Sequence, residues 1–508
     1  MSTAALDASF NLIQQLPALQ VVLPMLGSVI TAMVRKGAIA WFVALAVSWS
    51  MPFVAVVLLH EVLVHGTISY AMGGWEPPLG IEYRVDAANA YVLVIVSLIG
   101  AVVMPYAKRV VDADIAQENQ AWFYTMYLLC LCGLLGIVIT GDAFNAFVFL
   151  EISSLATYAM IAMGRDRRAL VAAYQYLIMG TVGATLYVIG VGILYVMTGT
   201  LNFADLVDRL QTVENQRPVL AALSFITVGL SLKVALFPLH KWLPNAYAYA
   251  PSMATVFLAS TATKVAIYLL VRFYYSIYGP NIELSGYSAG LVLVVLSLLA
   301  MFISSFVACF QQNVERMLAY SSVAQIGYIT LGISFGSKLG LTGGLVHLVN
   351  HAFMKGALFM CTGAIMLRLG SVKLDDLAGI GRRMPITMAA FTLAGLSLIG
   401  VPGTVGFVSK WYLARAAFDA GQGWLVFAIM ASSLLAVVYI GRIIEVAYLR
   451  EPNNITDEFA KDPPLSMMIP TGILVIACFY FGINAELTAV TAERAADAFF
   501  AYFGAAGQ

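Results

Sequence analysis

The sequence predicts an all-α polytopic membrane protein of about fourteen transmembrane helices. Three observations carry this. Of 508 residues, 61% are hydrophobic and only 11% charged, against roughly 45–50% and about 25% in an ordinary soluble domain. Apolar runs of about 20 residues, the length that crosses a ~30 Å hydrocarbon core, recur along the whole chain. They are too long and too continuously apolar for the alternating strands of an outer-membrane barrel, so helices must satisfy the backbone in lipid. A water-soluble enzyme is excluded.

In order, the expected spans are 14–33, 38–60, 86–107, 121–140, 143–163, 170–197, 219–241, 253–275, 286–310, 318–336, 341–367, 386–420, 424–448 and 464–482. The N-terminal MSTAALDASFNLIQQL has no basic n-region and no cleavage-like ending, so no signal peptide is expected. With 27 basic and 27 acidic residues the formal charge is zero, which gives no basic field for nucleic acid. Cys130, Cys132, Cys309, Cys361 and Cys478 all fall within spans, with no CxxC pair or Cys/His metal spacing, and read as small apolar fillers. The chain has no GxGxxG fingerprint, Walker loop or c-type haem motif. Hence neither a metal nor a cofactor is expected on this chain, and any nucleotide chemistry belongs to another subunit.

Orientation follows from Lys and Arg. If the first helix enters from outside, the loops after odd-numbered helices hold 16 basic residues, among them Arg35, Lys36, Lys108, Arg109, Arg165, Arg168, Lys241, Arg316 and Lys373. The other side holds seven: Arg84, Arg209, Arg217, Arg272, Lys338, Arg415 and Arg494. This positive-inside bias predicts an inner or cell membrane location with both termini on the non-cytoplasmic side. Four basic residues remain inside spans: Lys233, Lys264, Lys355 and Lys410. A charged Lys at the bilayer centre costs at least about 2.5–3.5 kcal/mol, and cost of that size marks function.

Four segments concentrate the chemistry. In FVFLEISSLATYAM, Glu151 is an acid in mid-span with Ser154 and Tyr158 on the same helical face. Opening or closing a pair between it and a lysine would move a proton; a permanent bridge that only fixes packing is the alternative. In GLSLKVALFPLHKWLPNAYAYAPS, Lys233 precedes Pro238 and Pro244, and two prolines within a span should break the helix. Such a break is tolerated only where protein or a wet cavity surrounds it, which makes it a candidate ion site. The next span carries Lys264 among small and hydroxyl residues. In LVHLVNHAFMKGALFM, His347, His351 and Lys355 recur at i, i+4 and i+8 on one face, about 6 Å apart per step. That pattern suits a proton relay, since imidazole titrates near neutrality; a metal site is the weaker alternative, with no carboxylate or Cys at ligand spacing. In GLSLIGVPGTVGFVSKWYL, Pro402 and Gly403 interrupt another span before Lys410.

The GLSL…Pro…Lys-Trp order thus occurs twice, at 229–242 and 395–411, with spacing different by three residues. Five helices separate the two copies, so the two units would be inverted five-helix repeats with broken helices 7 and 12. The expected organisation is 1–120 (helices 1–3), 121–285 (first repeat), 286–450 (second repeat) and 451–508 (helix 14 and tail).

These stretches, with GGWEPPLGIEYRVDAANAYVLV, TATKVAIYLL and NVERMLAYSSVAQIGY, resemble the antiporter-like subunits shared by Mrp-type Na⁺/H⁺ antiporters, respiratory complex I and membrane-bound hydrogenases. The resemblance covers nearly the whole chain, and the GGW-x-PP-x-GI approach to helix 3 is most like the D-type member of the Mrp antiporters. It implies that Glu151 and Lys233 pair and unpair, that Lys264 connects them to His347, His351 and Lys355, and that Lys410 is the terminal residue. AYAYAPS and Lys241 depart from the family pattern. The implied activity is proton translocation exchanged for Na⁺ within a hetero-oligomeric membrane complex. The alternative is a proton-pumping subunit of an NADH–quinone oxidoreductase or hydrogenase, in which this chain does no catalytic chemistry itself. A passive scaffold is the third reading, in which the buried charges are dispensable.

Overall fold

The computed structural model describes residues 12–279, 283–284, 287–452 and 459–504. The first eleven residues, where no signal peptide is expected, lie outside the described residues. Almost everything described is helical. The first eleven helices are α1 (Leu12–Val34), α2 (Gly37–His65), α3 (Ala87–Asp114), α4 (Gln120–Ile139), α5 (Ala143–Ala162), α6 (Arg168–Thr198), α7 (Phe203–Leu210), α8 (Gln216–Val234), α9 (Trp242–Tyr249), α10 (Ser252–Ser260) and α11 (Ala262–Val271). There follow α12 (Ala289–Cys309), α13 (Val314–Ser334), α14 (Lys338–Leu369), α15 (Ile380–Arg383), α16 (Pro385–Ile399), α17 (Val405–Asp419), α18 (Trp424–Leu449), α19 (Leu465–Ile483) and α20 (Glu486–Gly504). A hairpin of β1 (Ile68–Ala71) and β2 (Glu82–Val85) caps the end at which α3 begins.

Twelve of the described segments are long and apolar enough to cross a membrane. Two sequence-predicted spans are missing from that set for physical reasons. The apolarity of α13 is diluted by Glu315, Arg316, Gln325 and several serines, and the span at 386–420 is divided into α16 and α17. Apolar side chains such as Phe53 and Phe427 face outward, as a lipid surface requires.

The two five-helix units run in opposite directions, and matching pins mark them. Asp142, the N-cap of α5, forms a β-bridge with Asn202 beyond α6. Asn313, the N-cap of α13, forms the corresponding bridge with Lys373 beyond α14, at the opposite end of the bundle.

Three boundaries differ from those the sequence predicts. Span 7 does not end at residue 241: the chain breaks over 235–241 and resumes as α9 to Tyr249. Lys241 is therefore an exposed residue of the break, not of a loop after the span. Pro244 does not break a helix. It sits in the first turn of α9, where its missing N–H would have no partner anyway. Helix 8 is also interrupted, at Thr261, and ends in a π-turn over Arg272–Ile277.

At that π-turn Arg272 is buried and holds Asp86 through two contacts, Nη1 to Oδ2 at 2.8 Å and Nη2 to Oδ1 at 3.0 Å. Asp86 lies outside the spans, as the N-cap of α3. Burial opposes its charge, but the Arg272 guanidinium and the Asn89 N–H together hold its carboxyl below the ordinary carboxylate range. The pair's stabilisation is therefore complete above the ordinary Asp value and is lost as pH falls below it. Arg272→Leu, which leaves Asp86 uncompensated, is expected to cost about 3–5 kcal/mol at neutral pH. Thermal unfolding in detergent checks this, and the cost should shrink in acid.

Candidate functional site

The break after α8 builds the first part of the site. Ala235 adopts a left-handed conformation (φ 60°) and ends α8 just beyond Lys233. Pro238, which has no N–H to donate, lies inside the break. The second half is fastened to the first by Trp242, whose Nε1–H donates to Leu232 O at 2.8 Å and whose ring stacks on Tyr176 at 3.7 Å. Lys233 Nζ donates to Ser154 Oγ at 2.6 Å and to Tyr158 Oη at 3.4 Å, and lies 3.8 Å from Glu151 Oε1. The pair is asymmetric: the lysine side chain is 4% exposed, the glutamate 27%. Glu151 shares an outward stripe of α5 with Val148 and Leu155.

Lys264 is wholly buried and follows the interruption at Thr261. Its ammonium donates to Ala259 O, a carbonyl near the end of α10, and to Thr263 Oγ1 at 3.3 Å. On α14 the two imidazoles lie one above the other, with centroids 6.3 Å apart and planes within 6°. His347 bridges Gln325 Oε1 at 2.9 Å and Ser409 Oγ at 2.8 Å. An amide oxygen only accepts, so Nε2 carries a proton, and Nδ1 either accepts from Ser409 in the neutral ring or donates to it in the charged one. Neither ring nitrogen of His351 has a hydrogen-bond partner among the described residues. Lys355 Nζ donates to Ser321 and, at 2.7 Å, to Leu318 O.

Pro402 and Gly403 lie in the gap between α16 and α17. Lys410 turns back across this gap and donates to Ile399 O at 2.7 Å and Leu398 O at 3.3 Å, the orphan carbonyls of α16. It also donates to Ser433 Oγ at 2.9 Å and lies 4.9 Å from the Tyr328 ring centroid. Gly400 is required here: its φ of 95° ends α16, and a Cβ would lie 3.0 Å from Lys410 Cδ.

All seven titratable residues expected from the sequence are thus buried inside the bundle or, for Glu151, on its flank, in two groups: Glu151 with Lys233, and Lys264 with the α14 face and Lys410. The partners Gln325, Ser409, Tyr328 and Ser433 carried no spacing signal; only the adjacency of Ser409 to Lys410 hinted at one. Among the described residues no three His, Cys, Asp or Glu side chains gather as metal ligands.

A bundle of interrupted helices enclosing a line of ammonium and imidazole groups defines a class, the antiporter-like membrane subunits. Residues 140–436 match the family described as NADH:quinone oxidoreductase/Mrp antiporter, TM, and the chain belongs to that family. It is 42% identical to NADH-quinone oxidoreductase subunit N of Desulforudis audaxviator, over 85% of this chain and 87% of that protein. It is 29% identical to the D-type Na⁺/H⁺ antiporter protein of Alkalihalophilus pseudofirmus, over 86% and 87%. Its fold superposes on a chain of the Mrp complex from Dietzia sp. with a TM-score of 0.89 and 26% identity, covering 98% of this chain and 99% of that one. The expected fourteen-helix fold with inverted repeats is borne out, while the relatives span both the antiporter and the oxidoreductase branches, so the D-type antiporter member is not singled out.

A methyl on Gly180 of α6 would collide with the Tyr158 hydroxyl and stand 3.3 Å from Lys233 Nζ. Gly180→Ala is therefore expected to cost about 1–3 kcal/mol through overpacking, read as a lowered melting temperature. In a Tyr158→Phe background the cost should fall; an undiminished cost would contradict the stated clash.

Proposed function

We propose that this chain is the proton-translocating subunit of a multisubunit membrane complex, moving protons along Glu151, Lys233, Lys264, His347, His351, Lys355 and Lys410. The observation that carries this is the burial of four lysines against carbonyl and hydroxyl oxygens, with a single mid-span carboxylate among them. Groups held this way lose or gain a proton when the local charge balance changes. A cavity of about 20 Å³ beside Lys233, Ser154 and Ala262 is large enough for one water, which supplies a step from Lys233 toward Lys264. Glu151 sits on an apolar outer stripe, which favours a neighbouring membrane subunit covering it, since a carboxylate facing lipid is costly. The basic residues at one end of the bundle support a cytoplasmic location for that end, with both termini on the other side.

In the reading the sequence favours, proton movement is exchanged for Na⁺. A second reading, in which electron transfer in partner subunits drives the pump, is favoured by the 42% identical relative named as an NADH-quinone oxidoreductase subunit. In vesicles containing the assembled complex, proton flux started by a Na⁺ gradient supports the first, and flux started only by an electron donor and quinone supports the second. Under whichever drive is active, Glu151→Gln and Lys233→Ala should each lower flux by at least about tenfold, a barrier of about 1.4 kcal/mol or more. Normal flux in both variants would sink the path. Lys410→Ala should block turnover while leaving the amount of assembled complex unchanged; full turnover in that variant contradicts its terminal role.

A further inference from the structure

A second set of acids lies at the basic end of the bundle, away from the mid-membrane line. There a cavity of about 280 Å³ opens between the end of α3, the α5–α6 turn, the start of α10 and the start of α13. Asp114, Arg165, Asp166, Arg168, Glu315 and Lys373 are its charged lining. Most of these groups are accounted for. Asp114 accepts the Ser252 N–H at 3.1 Å and lies 3.7 Å from Arg165 Nε, and Asp166 is paired with Arg168.

Glu315 differs. It is 5% exposed, lines the cavity, and among the described residues has no hydrogen bond or ion pair. Another acid, Asp114, lines the same cavity. Lys373 lines the same cavity but is not within ion-pair distance of it. An ionised carboxylate buried without a counter-charge is costly, and such a group is neutralised by taking a proton.

The position of Glu315 gives that proton somewhere to go. Glu315 is in the first turn of α13, and the next turn presents Leu318 O to the Lys355 ammonium. Glu315 and Leu318 are three positions apart on the helix, a backbone rise of about 4.5 Å. Tyr106, whose hydroxyl donates to Met360 O, stands on the side of α14. The other ionisable groups that the elements packed on α13 bring near are His240 from the break, its ring 6.3 Å from that of Tyr320, and Arg442 of α18 on Cys309 O. Arg316 is the remaining charge on α13 itself.

We propose that Glu315, with Asp114 opposite it, is a proton-loading site at the basic end of the bundle. Its carboxylate takes one proton from water in the cavity, becoming the neutral acid. It then releases that proton toward the neutral amine of Lys355, which becomes the ammonium, and the carboxylate is restored. The ligand is the proton, and the delivery step rests on the transport path proposed above.

The test uses the assembled complex and two readouts. Infrared difference spectra between acid and alkaline pH should contain a protonated-carboxyl stretch that disappears in Glu315→Gln and persists, shifted, in Glu315→Asp. Proton flux should fall roughly tenfold in Glu315→Gln, lose its dependence on pH at the basic-end side, and be largely restored in Glu315→Asp. A purely structural acid at a helix start would lower the amount of complex but leave the pH profile of the remainder unchanged, which would overturn the proposal. A carboxyl band that responds to Na⁺ at fixed pH, with no response to protons, would also overturn it, in favour of a cation site. If the band titrates and depends on Glu315 while wild-type complex moves no protons under any drive, the loading site stands and the transport path fails. If transport proceeds and the band is unchanged in Glu315→Gln, the loading site alone fails.

Discussion

An ammonium group enclosed among helices must be surrounded by oxygen atoms, and a continuous helix offers few, because its carbonyls already accept from its own N–H groups. The structure meets this requirement by interrupting helices. Lys264 donates to Ala259 O beside the interruption at Thr261, and Lys410 donates to Leu398 and Ile399 O at the end of α16. Lys233 occupies the last turn of α8, where the unpaired carbonyls and the negative end of the helix dipole both favour a cation. Lys355 is the exception, since it takes Leu318 O from within α13 with the help of Ser321.

From this follow the features that hold the breaks in shape. Trp242 ties α9 to the last turn of α8, and its stacking on Tyr176 secures the pair against α6. Asn350 of α14 donates to Val405 O at the start of α17, so the helix that carries the imidazoles also fixes the second break. The site is therefore not added to a finished bundle. The same interruptions that weaken individual helices create the oxygen cages for the charges, and packing of neighbouring helices compensates the lost backbone bonds.

The charges are also supplied unequally. Glu151 is partly exposed on the flank, while Lys264, His347, His351 and Lys355 are shut inside. An acid at the edge and bases at the centre give the two ends different surroundings: the edge is partly open at the outer face of the bundle, whereas the interior groups meet only protein. His351, with neither nitrogen bonded among the described residues, is the least constrained of them.

The sequence alone determined the membrane class, twelve of its fourteen expected spans and which ionisable residues fall inside them, because hydropathy and intramembrane charge are local properties of a chain. It also located both breaks, through Pro238 and Pro402. What it could not decide was which oxygen atoms receive each lysine, since Ser154, Ser321 and Ser433 are 79, 34 and 23 residues from their partners. The interruption at Thr261 was equally hidden, having no proline or glycine to announce it, and so was the isolation of Glu315, which reads in sequence as an ordinary acid in a first turn. Whether a charge is paired, caged or alone depends on what the other helices bring beside it, and only tertiary packing fixes that.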